Sequence, residues 1–241
     1  MDGGSTDGSV DIIRKYEKHL ASWTSGPDGG QARAIATGFG NATGRIIGWL
    51  NSDDTLAGGA LERVALAVRH AGSPDCVFYG GYELIDVKGQ VQEVFFGTPT
   101  IGWVARAIGP VICQPGTFFG RDAYFRVGGL DNSLQYGMDK DLWMKFFLAG
   151  IKFIAIPRIQ AQFRSHSLQK GHSRDWLKKC NDEELAIECR YGMAPEGSTT
   201  RLVARQVHRV LRLTMGRMYY TVLFRIMQHR RIRPFTIDYS S

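Results

Sequence analysis

No apolar run in this chain reaches the roughly eighteen residues needed to cross a bilayer, and no basic-then-apolar leader opens the 241 residues. The expectation is a cytoplasmic protein. Cysteine is scarce: Cys76, Cys113, Cys180 and Cys189 show no C-x-x-C spacing, which argues against a zinc site and against a disulfide framework. Acid is missing from the tail, where nine arginines and no Asp or Glu fall between Arg201 and Arg233. The net charge of +7 belongs to that tail, because taking those nine from 30 Lys+Arg leaves 21 against 23 Asp+Glu. Internal repeats and low-complexity segments are absent too. What remains, 44% hydrophobic and 22% charged, is the composition of a globular chain with enough residues for one large α/β domain or two small ones.

Against that background one stretch carries chemistry: Gly48-Trp49-Leu50-Asn51-Ser52-Asp53-Asp54-Thr55. The apolar run 46–50 reads as a buried strand, and two carboxylates followed by Thr-Leu-Ala-Gly-Gly end it. In an open α/β sheet the carboxyl ends of the strands line the ligand crevice, which places Asp53 and Asp54 where small molecules bind. Adjacent like charges repel, and a divalent cation relieves them; carboxylate oxygens together with substrate phosphates suit Mg²⁺ or Mn²⁺. The plainer alternative is an Asp N-cap for a helix over 59–70, with Asp53 merely solvated.

The chain opens on a loop of glycine, hydroxyl and acid, Asp2-Gly-Gly-Ser-Thr-Asp-Gly-Ser, capped by Asp7 or Ser9 into a helix over 10–20. A loop of that chemistry normally follows a strand, because its glycines let backbone approach a ligand; that strand is not in the sequence. A short strand over 21–25 and a turn over 26–30 lead to a helix over 31–41, whose Ala32, Ile35, Ala36 and Phe39 form a core stripe. Further on the pattern predicts a helix at 59–70, a strand at 76–79 that 80–84 either continues or leaves to pair with 90–96, a hairpin turn at 87–90 between them, and a strand edge at 112–119. A short helix at 121–127, a helix at 138–148 and a strand at 152–156 closed by Pro157 complete the sheet region. After 164–167 only helices follow, at 174–191 and from 199 to about 231.

Four stretches in this order resemble the inverting, GT-A-fold glycosyltransferases of family 2. They are the opening Asp2-Gly-Gly-Ser-Thr-Asp loop, Ala42-Thr-Gly-Arg-Ile-Ile-Gly-Trp-Leu-Asn-Ser-Asp-Asp, Gln114-Pro-Gly-Thr-Phe-Phe with Val127-Gly-Gly-Leu-Asp, and Met138-Asp-Lys-Asp-Leu-Trp. The resemblance covers about 1–168. It implies an α/β fold: a Rossmann-like, mostly parallel central sheet flanked by helices, with 169–241 as a helical, basic C-terminal extension. It also implies an in-line displacement at the anomeric carbon of a UDP- or GDP-linked sugar by an acceptor hydroxyl, saccharide or lipid-linked. By that resemblance Asp2 reads the base, and Asp28, Asp53, Gln114 and Arg164 contact the nucleotide sugar. Asp54, with Asp53 and His166, holds Mg²⁺ or Mn²⁺ as Lewis acid at the leaving phosphates. Asp139 is the general base, kept ionised by the positive end of its helix. Asn51 stands where many relatives carry another acid.

The plainer readings stand beside these. Asp139 and Asp141 are also what the first turn of a helix favours, Trp143 and Phe147 read as core, and Arg121 and Arg164 suit surface ion pairs as well as phosphates. The resemblance further implies that about 35 to 40 residues, roughly one βα unit and a strand, are missing ahead of Met1, and that Ala36 and Thr37 replace polar groups near the donor. A catalytically impaired relative acting as a binding or scaffold protein is therefore one alternative. A basic nucleic-acid-binding protein is another, against which the basic residues avoid the globular part, so no nucleic acid is expected. For the apolar and arginine-rich tail, docking on the domain competes with peripheral contact at the inner membrane face.

Overall fold

The computed structural model describes residues 1–166 and 174–229. The expected boundary at 168/169 and the basic residues 230–233 lie outside them. In chain order the elements are α1 (Ser9–Tyr16), a 3₁₀ turn (Glu17–His19), α2 (Gln31–Asn41), β1 (Ile46–Ile47), β2 (Thr55–Leu56) and α3 (Ala60–Ala71). Then follow β3 (Cys76–Ile85), β4 (Val91–Phe95), α4 (Gly102–Ile108), β5 (Phe118–Gly120), α5 (Arg121–Arg126), α6 (Met138–Leu148), β6 (Lys152–Arg164), α7 (Arg174–Arg190) and α8 (Thr199–His229).

The expected α/β sheet flanked by helices is present, ordered β1-β5-β3-β6-β2 with β4 on the other reach of β3. It is mixed rather than mostly parallel. Of the five ladders among the described residues, β3–β6 is parallel and the other four are antiparallel. Connection length explains the difference: three helices separate β3 from β6, enough for a parallel crossover, whereas β3 and β4 are joined by a tight hairpin. Gly89 turns that hairpin at φ 80°.

Several expected strands are shorter or longer than their apolar runs. Over 46–50 only Ile46 and Ile47 pair, because Gly48 leaves the ladder against Phe118, where a Cβ would meet the ring at 2.8 Å. The segment 21–25 is not a strand; Ser25 makes a single parallel bridge to Asp2. Of 112–119 only the last two residues join β5. Pro157 does not close β6: the strand runs on to Arg164, and the register against β3 shifts between Tyr79 and Gly81, opposite the proline. A bulge tolerates the missing N–H where a regular ladder would not. The helix α4 and the two-residue β2 carry too little periodicity to be seen in advance.

The core is aromatic and centred on the fully buried Phe119, whose ring meets Phe39 at 5.7 Å, Trp143 at 5.9 Å and Phe146 at 5.2 Å. Trp49 stacks on Trp143 of α6, with centroids 5.9 Å apart. The chain leading to Asp53 is thus packed directly on the helix that carries Asp139. Trp143 is core, as expected.

The C-terminal helices dock on this body. Ala204 and Val207 of α8 pack on Val104 and Ala107 of α4, the docking outcome for its described first half. The buried Arg201 pairs with Glu188 at 2.7 Å, and Glu188 also accepts from Lys140 of α6 at 2.7 Å. Those hydrogen bonds, the Arg201 ones foremost, hold the Glu188 carboxyl down at about 2 instead of 4.5. A depressed carboxylate pKa contributes stability that is present above 4.5 and is lost as pH falls toward 2. Wild-type Tm is therefore expected to fall more steeply between pH 4.5 and 2 than that of Glu188→Gln. Glu188→Ala, which leaves the buried Arg201 guanidinium with the more exposed Glu196 and the Ala194 carbonyl, is expected to cost about 1–3 kcal/mol in urea unfolding at pH 7; a loss below about 0.5 kcal/mol would show that the pair is not a clamp.

Candidate active site

The acidic turn is fastened to the end of β6 through both of its carboxylate-bearing residues. Asp54 Oδ1 accepts the backbone N–H of Arg164 at 3.0 Å, and Arg164 Nε donates to the Asp53 carbonyl at 2.9 Å. The Arg164 guanidinium also donates to the Asp86 carbonyl at 2.8 Å, so it ties the turn to the β3–β4 hairpin. Two residues on, His166 Nε2 comes to 3.2 Å from Asp53 Oδ2.

A cleft of about 2020 Å³ runs past this turn and is lined by Asp28, Gln31, Asn51, Asp53, Gln114, Asp139 and His166. The structure thus brings five of the expected site residues to one cavity. Asp2, Asp54 and Arg164 are not on its wall. Asp54, expected as the direct metal ligand, is only 5% exposed, and its carboxylate faces Arg164 N–H and the Asn51 amide. Burial pushes its pKa up, and the neighbouring Asp53 charge adds to that. Of the two adjacent acids, Asp53 is the one that meets the cleft. Nor does either Asp cap α3, whose N-cap is Gly59 in the left-handed region.

Asp53 and His166 form a donor pair that fits a hard-to-borderline divalent cation: one carboxylate and one imidazole, both half-buried, already converging. Among the described residues no third His, Cys, Asp or Glu joins them. A cation here would draw its remaining ligands from water and from substrate phosphates, the usual arrangement for Mg²⁺.

Behind the turn lies an amide network that positions it. Gln31 Nε2 donates to Asn51 Oδ1 at 3.0 Å, Asn51 Nδ2 to Gln114 Oε1 at 3.2 Å, and Gln114 Nε2 to the Trp49 carbonyl at 2.6 Å. Asn51, where another acid was noted as usual, acts as a neutral bridge. Gln31 was not anticipated; its place at the first turn of α2, facing the 26–30 turn, gave no separate signal. Asp28 caps its own turn by accepting Gly30 N–H at 2.9 Å. Asp2 is committed to its own loop: Ser25 and Ser5 hydroxyls and the N–H groups of Gly4 and Ser5 all donate to it. The Ser25 bond first, then those from Ser5, hold its carboxyl far below the usual range. Arg121 donates to the Ala42 carbonyl and lies over the Phe125 ring, a structural role.

Asp139 sits in the first turn of α6, on the cleft wall. Its carboxylate accepts Lys140 N–H at 2.7 Å, yet the net shift of its pKa is upward, because loss of water outweighs that bond. The helix end therefore does not dominate as expected. Asp141, two residues on, is fully buried and paired with Lys145, Arg190 and the Tyr191 hydroxyl. The two acids of this turn have separate jobs, one facing the cleft and one fixing the helix.

A residue outside the resemblance holds the approach to Asp139. Glu183 of α7 accepts N–H from Gln135 at 2.8 Å and from Tyr136 and Gly137 at 2.6 Å each. Its signal in the sequence was one acid among several on a polar helix. Charge-assisted bonds of this kind contribute more than neutral ones. Glu183→Ala is expected to lower stability by about 1–3 kcal/mol in urea unfolding, with Glu183→Gln recovering about half; full recovery by Glu183→Gln would mean that charge is irrelevant there.

Residues 1–127 match the family model described as Glycosyl transferase family 2. An uncharacterized glycosyltransferase of Mycobacterium tuberculosis strain H37Rv is 29% identical over 155 residues, 58% of this chain and 52% of that protein. Another from Rickettsia bellii is 24% identical over 201 residues, 76% of this chain and 29% of that protein. The chain thus spans about half the length, or less, of these relatives. Among solved structures, S. aureus TarS 1–349 in complex with UDP-GlcNAc is similar over 74% of this chain and 53% of that one, with TM-score 0.54 and 16% identity. TarS 1–349 in a further crystal structure is similar over 98% and 83%, with TM-score 0.52 and 15% identity. That likeness is one of fold. The family match takes in more than half of the chain, including the whole 51–54 turn and Gln114, and on that ground the chain belongs to glycosyl transferase family 2.

Proposed function

We propose that this chain transfers a sugar from a nucleoside diphosphate sugar to an acceptor hydroxyl with inversion, assisted by Mg²⁺ or Mn²⁺ at Asp53 and His166. The observation that carries it is the placement of that pair and of Asp139 on the walls of one cleft. The UDP-GlcNAc complex of TarS, similar in fold, favours a UDP-linked donor.

Each part of the chemistry falls to a group already described. Asp53 and His166 would hold the cation, which when bound offsets charge on the departing diphosphate. Asp139 takes the proton of the attacking hydroxyl as the bond from that oxygen to the anomeric carbon forms and the bond to the diphosphate breaks. Its raised pKa makes it a better proton acceptor than an ordinary surface carboxylate. Turnover is therefore expected to rise with pH as Asp139 loses its proton. Asn51, Gln31 and Gln114 keep the Asp53 turn from shifting relative to the cleft.

Peripheral attachment to a membrane is the reading for the outer face of α8, favoured by its exposed Leu202, Val203, Val210 and Leu213. No helix among the described residues is long and apolar enough to cross one.

The test is thermal shift and release of nucleoside diphosphate for UDP- and GDP-sugars, with and without Mn²⁺. A Mn²⁺-dependent rise in Tm is expected for the wild type and for Asp54→Asn, and not for Asp53→Asn or His166→Ala. Asp139→Asn is expected to bind donor normally and to turn over roughly 10²–10⁴-fold more slowly. Unchanged turnover in Asp139→Asn, or unchanged Mn²⁺ response in Asp53→Asn, would contradict the assignment.

A further inference from the structure

The cleft that holds Gln114 and Asp139 is also lined by Tyr82 of β3, Phe95 of β4, Val111, and His208 and Arg212 of α8. Its volume leaves room for a second ligand: small-molecule sites take roughly 300–1,000 Å³, and about 2020 Å³ is open here. Tyr82 and Phe95 are cross-strand partners with ring centroids 4.7 Å apart and planes only 8° from parallel. The Arg212 guanidinium lies over Phe95, 5.6 Å from the ring centroid. His208 Nε2 is held at 3.2 Å from the Thr98 hydroxyl.

The charge of Arg212 is what distinguishes this lobe. Earlier on the same helix, Arg201 pairs with Glu188 and Glu196, and Arg205 pairs with Glu196. Among the described residues Arg212 makes no ion pair with a carboxylate, although it lines the cleft. A guanidinium beside an aromatic face suits a planar or tetrahedral oxyanion next to an apolar ring surface. Cys113 lines the same cleft. Burial raises its thiol pKa and the charge of Asp139 adds to the effect; burial raises the Tyr82 hydroxyl, and Cys113 adds to that in turn.

We propose that this lobe is the acceptor subsite and that it takes a saccharide bearing an anionic group, phosphate or carboxylate. The sugar ring lies against the Tyr82–Phe95 pair, the anion meets Arg212, and the attacking hydroxyl reaches toward Asp139. Its role as the acceptor site rests on the glycosyl-transfer reading; its preference for anionic saccharides does not. Arg212 and the lobe's α8 wall lie beyond the residues matched by the family model.

Calorimetric titration of the full chain with N-acetylglucosamine 1-phosphate, glucuronate, methyl glucoside and inorganic phosphate tests it, with UDP titrated in the same samples. At least one anionic sugar is expected to bind tenfold or more tightly than methyl glucoside, and which one does so separates phosphate from carboxylate. Arg212→Ala is expected to erase that advantage and Arg212→Lys to keep part of it. Phe95→Leu is expected to weaken every sugar, the neutral one included, several-fold. UDP affinity should stay the same in all three variants. Equal binding of neutral and anionic sugars would overturn the proposal, as would a preference that survives Arg212→Ala. Inorganic phosphate binding as tightly as the sugar phosphate would remove the saccharide, and a matching loss of UDP affinity in Arg212→Ala would assign the arginine to the donor. Wild-type protein that fails to bind UDP would overturn the transfer reading and the acceptor role with it, while the anion preference is still read directly from the sugar titrations.

Discussion

The site depends on one tie, between the turn after β1 and the end of β6. Asp54 accepts the Arg164 N–H, Arg164 returns a bond to the Asp53 carbonyl, and the chain two residues later delivers His166 to the Asp53 carboxylate. Three bonds fix two segments more than a hundred residues apart. A carboxylate withdrawn from water usually loses more than it gains. Asp54 is kept because its acceptor oxygens are used, and its burial leaves Asp53 as the acid presented to the cleft.

The opposite wall is set by separate means. Trp49 stacked on Trp143 joins the chain between β1 and the turn to α6, so packed rings help to set the distance across the cleft. From behind, α7 grips the same helix: Glu183 gathers three N–H groups ahead of Met138, and Lys140 is shared between Glu184 and Glu188. Gly137 is crowded there by Ile187, where a Cβ would come within 2.5 Å. The C-terminal helices are accordingly part of what holds Asp139 in place.

Much of this could be read in the sequence, and the residues show why the rest could not. The helices 31–41 and 138–148 followed from periodicity, and the family, its α/β sheet and a cleft shared by the acidic turn and Asp139 followed from the resemblance carried by four ordered stretches. The division of labour between Asp53 and Asp54 did not, because adjacent acids look alike until a partner such as Arg164 claims one of them. The same holds for Asp139 and Asp141. Strand lengths failed where a close contact decides them, at Gly48 against Phe118, or where a bulge rescues a proline, at Pro157. Long-range polar partners such as Glu183 have no signature in a single chain, since their meaning comes from which backbone groups they reach.

The central claim is that Asp53 and His166, rather than Asp54, form the cation end of a cleft whose other wall carries Asp139. Anomalous diffraction from crystals of this chain grown with Mn²⁺ and UDP addresses it most directly. A manganese peak in direct contact with the Asp53 carboxylate and His166 Nε2, with the diphosphate on its open side and Asp139 facing the same space, is the expected result. A peak bound to Asp54, or one away from both residues, would contradict it.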